Sequence, residues 1–155
     1  MSTFRPLKTA LAVAALLAAS SGFAADQMSK ADHKAAKDQI DATYKSDKAA
    51  CGKMEGNAKD ICNAEAKAKQ KVAVAELDAK RSGKESDKHK VAKVKADQDY
   101  EIAKEKCDDQ KGDAKDACKK EAKAAQQKAM AEVKQMEATA KGDKAAAEKK
   151  AATKS

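Results

Sequence analysis

A duplicated unit of 56 residues constrains the fold of this chain more than any other feature of its sequence. Residues 29–84 align with residues 85–140, and 21 of the paired positions are identical. The matches include rare residue types: His33 with His89, Tyr44 with Tyr100, Cys51 with Cys107, Gly56 with Gly112, and Cys62 with Cys118. A composition rich in alanine and lysine does not produce matches of this kind, so the chain contains an internal repeat.

Each repeat is expected to form a helical hairpin, because strong helix formers fill both units and one glycine interrupts each of them. Gly56 and Gly112 suit the left-handed position at the end of a helix. The residues that follow them, Asn57 and Asp113, can cap the next helix. The predicted helices span residues 29–54, 58–80, 85–110 and 114–140.

The four cysteines flank these turns as two copies of a C-x10-C motif. Four cysteines permit three pairings, and the duplication favours the two local ones, Cys51 with Cys62 and Cys107 with Cys118. With these cysteines opposite one another, the apolar positions of the two helices in each hairpin also meet, as in an antiparallel coiled coil. A catalytic dithiol usually has two intervening residues, so we predict structural disulfides.

The packing of the two hairpins on each other is predicted from differences between the repeats. Four large apolar residues on the second and third helices have no large apolar counterpart in the other repeat, and we therefore expect these two helices to dock across the break at Ser82-Gly83. These residues are Val72, Val91, Val94 and Ile102. Alanines at seven-residue spacing on the first helix (Ala35, Ala42, Ala49) and the fourth (Ala124, Ala131, Ala138) can close the remaining side. We expect an all-α, up-down-up-down four-helix bundle, with an open row of antiparallel helices as the alternative.

Residues 1–24 have the layout of a secretory signal peptide. Arg5 and Lys8 precede an apolar run, and small residues lead to a cleavage position after Ala24. The apolar run is shorter than the roughly 20 residues that span a bilayer, so we expect cleavage rather than anchoring. The sequence thus predicts a periplasmic or secreted protein with a repeat domain at 25–140 and a basic, alanine- and lysine-rich tail at 141–155.

The charge balance of the exported part suggests the class of partner. Removal of Arg5 and Lys8 with the signal peptide leaves 31 of the 33 basic residues against 25 acidic residues, a net charge of +6. The tail lysines are Lys141, Lys144, Lys149, Lys150 and Lys154. We predict a non-enzymatic envelope protein whose lysine-rich helix faces contact anionic partners such as lipopolysaccharide, peptidoglycan or an acidic protein.

Residue spacing argues against an enzyme or a metal protein. His33 and His89 form no His i, i+4 pair, and the cysteines form no C-x2-C pair. In the antiparallel register both histidines fall at the end far from the disulfides, where we expect them to be solvated. No G-x-S-x-G motif or glycine-rich phosphate loop is present. We therefore predict no catalytic residues, no metal site and no cofactor.

Two other functions are considered as alternatives. A periplasmic stress or holdase-like chaperone can use exposed methionines as adaptable contacts, and the candidates are Met54, Met130 and Met136. Nucleic-acid binding is suggested by the lysine- and alanine-rich tail. Export, intermixed acidic residues and the lack of stacking aromatics make nucleic-acid binding the less favoured alternative.

The run at residues 44–67 (YKSDKAACGKMEGNAKDICNAEAK), with its echo at residues 100–123, resembles small exported proteobacterial proteins often labelled cell-envelope or TolA-like. Its core is C-x4-G-x5-C followed by E-A-K. The resemblance implies a periplasmic or surface helical protein. Since we expect neither the membrane anchor nor the globular C-terminal domain of TolA here, it does not imply force transduction.

Overall fold

The computed structural model describes residues 28–153, which form four α-helices and no strand. The helices are α1 (Lys30–Cys51), α2 (Gly56–Ser82), α3 (Glu85–Cys107) and α4 (Gly112–Ala152). The predicted all-α fold is therefore confirmed. The predicted signal peptide, its cleavage site and Lys154 lie outside the described residues.

Two disulfides join the helices in pairs. Cys51–Cys62 links α1 to α2, which together form hairpin 1, and Cys107–Cys118 links α3 to α4, which form hairpin 2. The Cα atoms are 5.5 and 5.6 Å apart, the usual separation for a disulfide. Both predicted pairings, and the two disulfide-linked hairpins, are confirmed.

Polar contacts fix the antiparallel direction of the helices. The Nε2 atom of Gln70 donates to the Asp41 carboxylate at 2.7 Å in hairpin 1, and Gln126 donates to Asp97 at 2.6 Å in hairpin 2. These two hydrogen bonds join equivalent positions of the two repeats. Between the hairpins, ion pairs join Lys95 to Glu76 and Lys106 to Glu65 on α3 and α2. The up-down-up-down order follows, and it places both disulfides at the same end of the molecule.

The helices pack as an open row. Within residues 28–153, α2 contacts α1, α3 contacts α2 and α4 contacts α3, but α1 and α4 do not meet. The alanines expected to close α1 on α4 are exposed, namely Ala35, Ala42, Ala49, Ala124, Ala131 and Ala138. Alanine side chains bury little apolar surface, so these rows alone offer little free energy for closure. Of the two expected arrangements, the open row is the one found.

The core lies between the two middle helices and their neighbours. Its buried residues on α2 are Ala66, Ala68, Ala75, Leu77 and Ala79, and on α3 they are His89, Ala96, Gln98 and Cys107. The outer helices add only Cys51 from α1 and Val133 from α4. The docking of α2 on α3 agrees with the prediction made from the extra valines and isoleucine.

Glycines in the left-handed conformation separate the helices. Gly56 and Gly112 both have φ of 54°, and Gly83, which ends α2, has φ of 63°. Residues with a Cβ rarely adopt this conformation. Asn57 and Asp113 do not cap the following helices, whose N-caps are Glu55 and Lys111 with no side-chain hydrogen bond. The Asn57 amide instead donates to the Glu105 carbonyl oxygen at 2.8 Å, across to α3.

Helix α4 is longer than the sequence predicted. It continues past residue 140 to Ala152, and every residue from 141 to 152 is exposed. Gly142 does not interrupt it, and a Cβ at that position would meet nothing within 4 Å. The described part of the basic tail is therefore a helical segment that projects from the end of the row opposite the disulfides.

Candidate functional site

The histidines and cysteines have structural contacts. No group of three or more His, Cys, Asp or Glu residues within the described part of the chain is arranged to hold a metal ion. All four cysteines are in disulfides. The His33 Nε2 atom lies 2.9 Å from the Asp78 carboxylate and joins α1 to α2 at the end opposite their disulfide. The prediction of solvated histidines is wrong, since the side chains of His33 and His89 are only 15 % and 11 % exposed.

Two lysines flank the ring of Tyr100. The Nζ atoms of Lys104 and Lys123 each lie 5.0 Å from the ring centroid, within the range of a cation–π interaction. A hydrogen bond from Lys104 to Glu101 raises the pKa of this lysine. Because α3 carries Lys104 and α4 carries Lys123, the three side chains connect both helices of hairpin 2.

Carboxylate–lysine contacts hold both ends of hairpin 2. At the disulfide end, the Asp108 carboxylate accepts from Lys119 at 2.8 Å and lies 3.0 Å from Lys115. These hydrogen bonds lower the pKa of Asp108. At the other end, Lys93 donates to Glu137 at 2.6 Å, and this bond lowers the pKa of Glu137. These lysines are thus engaged within the fold.

The lysines in the projecting segment of α4, residues 141–152, differ from those of hairpin 2 in their contacts. The described residues place no carboxylate within 4.0 Å of its four ammonium groups, which belong to Lys141, Lys144, Lys149 and Lys150. Asp143 and Glu148 are the acidic residues of the segment, so it has a net charge of +2. The segment is therefore a solvent-exposed, basic helix at the end of the row.

Few large apolar side chains are exposed in the described part of the chain. Met54 and Met136 are 45 % and 51 % exposed, whereas Met130 is half-buried. Met136 lines a groove of about 810 Å³ between α3 and α4, together with His89, Ala92 and Thr139. A flexible apolar side chain in an open groove can contact another apolar group.

The fold and its disulfides define a class of protein: a two-hairpin helical repeat protein of the kind that folds in an oxidising, extracellular compartment. None of the described helices has both the length and the apolar character needed to cross a membrane. No protein-family model, curated protein or solved structure shows a significant match to this chain. We therefore infer function from the surface of the molecule itself.

Proposed function

We propose that this is a non-enzymatic envelope protein that contacts an anionic envelope polymer through lysine-rich helix faces, chiefly the projecting segment of α4. The observation that carries the proposal is the exposure of every residue in that segment, including four lysines without a carboxylate partner in the described residues. Phosphate and carboxylate groups repeated along lipopolysaccharide or peptidoglycan are suitable partners for these exposed ammonium groups.

The predicted export supports this assignment. The signal-peptide layout of residues 1–24, with cleavage after Ala24, and the resemblance to exported cell-envelope or TolA-like proteins both lead to the periplasm or the extracellular space. The two disulfides are compatible with this location, because such bonds persist in oxidising compartments. Anionic polymers are abundant partners there, whereas nucleic acid is not an expected partner.

Co-sedimentation tests the proposal. The oxidised protein is mixed with purified sacculi, and separately with lipopolysaccharide, at low and at physiological salt. We expect the protein in the pellet with at least one of the two, and less of it at physiological salt because salt screens exposed charges. No binding to either material at either salt concentration removes the proposal.

A matched pair of variants assigns the contact to the projecting segment. Replacement of Lys141, Lys144, Lys149 and Lys150 by glutamine should abolish most of the binding. Replacement of four exposed lysines elsewhere, namely Lys37, Lys45, Lys53 and Lys59, changes the net charge equally and should leave more binding. If both variants lose binding equally, net charge and not the projecting segment is responsible.

A holdase-like chaperone remains a second candidate because Met54 and Met136 are exposed. The measurement is suppression of aggregation of an unfolded client at an equimolar ratio. Replacement of both methionines by glutamine should then reduce the suppression. A wild-type protein that fails to suppress aggregation excludes this candidate and leaves the envelope-binding proposal unaffected.

A further inference from the structure

In the open row, one face of α1 and one face of α4 have no partner helix within the described residues. The sequence repeat relates these two faces to the packed interface between α2 and α3. By the 56-residue repeat, α1 corresponds to α3 and α4 corresponds to α2. Helices α2 and α3 pack against each other as the interface between the two units. The corresponding faces of α4 and α1 have no partner within the described residues, so each end of the row carries one half of that interface.

The accessibility of α1 and α4 supports this correspondence. On α3, Val91, Val94, Gln98 and Ile102 are buried or half-buried at the positions that face α2. Their equivalents on α1 are all exposed: Ala35, Asp38, Ala42 and Ser46. On α4, the equivalents of Ala68, Val72 and Ala75 are exposed too: Ala124, Lys128 and Ala131.

The two unpaired faces are complementary in charge. From the contacts that join Lys95 to Glu76 and Asn57 to Glu105, we infer an antiparallel register of α2 and α3 that aligns Val72 with Val94. Lys128 replaces Val72 on α4, and Asp38 replaces Val94 on α1. The same register therefore sets a lysine opposite an aspartate, with Ala124 opposite Ala42 on one side of that pair.

We propose that a second copy of this chain docks at the end of the row, with the α4 face of one copy against the α1 face of the other. This contact continues the packing of α2 on α3 from one chain to the next, as stacked repeats do. Asp38 is free to change partner, because its present contact is a solvent-exposed ion pair with Lys34 one turn away. Such exposed pairs contribute little to stability.

The contact between copies should be weaker than the contact between α2 and α3. The valines and the isoleucine of the inner interface are replaced by alanine, serine and a charge pair, which bury less apolar surface. We therefore expect a monomer at low concentration and reversible association as the concentration rises. This inference does not depend on the proposed function, since it uses a different surface from the projecting segment.

Sedimentation velocity over a range of concentrations, on the oxidised full chain, measures the association. Asp38→Lys alone and Lys128→Asp alone should each weaken it by about fivefold or more, because each sets like charges opposite one another. The double variant should restore it. Asp109→Lys and Lys53→Asp, at exposed positions in the turns, are the matched controls and should leave it unchanged.

Cysteine cross-linking tests the register of the contact. A mixture of Ala42→Cys and Ala124→Cys chains should form a mixed disulfide dimer, and each chain alone should cross-link much less. Both substitutions are at exposed positions, so the fold should tolerate them. A protein that stays monomeric at all concentrations, a double variant no better than the single variants, or cross-linking chiefly within the Ala42→Cys chain would overturn the inference.

Discussion

At the scale of single residues, Asn57 and Asp113 occupy equivalent positions in the two repeats but have different partners. The Asn57 side chain donates to the Glu105 carbonyl oxygen and connects hairpin 1 to hairpin 2. Asp113 lies in the first turn of α4, where a negative charge interacts favourably with the helix N-terminus. Nothing in the sequence distinguishes a capping asparagine from one that bridges two helices, which is why the Asn57 contact was not predicted.

Replacement of Asn57 by alanine should lower the free energy of unfolding by about 1 kcal/mol, because it leaves the Glu105 carbonyl oxygen without this donor. Asp113→Ala is the matched control and should cost only a few tenths of a kcal/mol, as expected from its charge at the helix terminus. Urea unfolding followed by circular dichroism measures both changes. Equal decreases in the free energy of unfolding would show that the hydrogen bond between the hairpins contributes no more to stability than the charge of Asp113 does.

Acid should destabilise hairpin 2 through Asp108 and Glu137. Lysine hydrogen bonds lower the pKa of both carboxyl groups in the folded protein. A lowered folded-state pKa stabilises the fold above the unfolded pKa, and this stabilisation is lost as the pH falls through the folded value. We therefore expect the thermal midpoint to decrease once the pH is below about 4, because carboxyl groups in the unfolded chain begin to take up protons there.

The double variant Asp108→Asn with Glu137→Gln is the comparison for this effect. It cannot titrate at these two positions, so its thermal midpoint should depend less on pH between about pH 4 and pH 2. Identical pH dependence of the two proteins would contradict the assignment.

At the scale of elements, each disulfide closes a loop with a sequence separation of 11 residues. Loop-closure estimates put the stabilisation at about 3 kcal/mol per bridge. The described core consists largely of alanines, which contribute little each, so the bridges are a large share of the total. Reduction should lower the thermal midpoint of the helical circular dichroism signal by on the order of 10 °C or more.

Replacement of Cys51 and Cys62 together should cost less than replacement of Cys51 alone. In the single variant, Cys62 is left as a free thiol that can attack the Cys107–Cys118 disulfide and mispair. Peptide mapping of the unreduced variants identifies such mixed bonds. A single variant as stable as the double one, with its second disulfide intact, would show that exchange does not occur.

The elements that were predicted correctly are those whose residues are compatible with only one structural role. A cysteine pair flanking a glycine in an oxidised chain implies a bridged turn, and Val91 and Val94 on an otherwise alanine- and lysine-rich helix imply a buried face. Alanine gives no such signal, because it favours a helix equally well when buried or exposed. For that reason the rows beginning at Ala35 and Ala124 were consistent with either a closed bundle or an open row.

At the scale of the whole molecule, the open row makes the four helices unequal. Helices α2 and α3 each have two helical neighbours and carry most of the buried residues, whereas α1 and α4 each have one neighbour. Native-state hydrogen exchange should therefore be slowest in the middle of α2 and α3, faster in α1 and fastest in residues 141–152 of α4. Protection of α1 and α4 equal to that of α2 and α3 would indicate a closed bundle in solution.

The position of the disulfides also determines how far the chain can be extended by a mechanical force. The start of α1 and the end of α4 lie at the end of the row opposite both bridges, so tension between these two points separates the outer helices first, one contact at a time. Each disulfide then prevents extension of the loop that it closes. This shortens the fully extended chain by roughly 30 Å per loop. The oxidised chain therefore has a shorter maximum extended length than the reduced chain. The maximum length of the molecule under tension thus depends on the redox state of its surroundings.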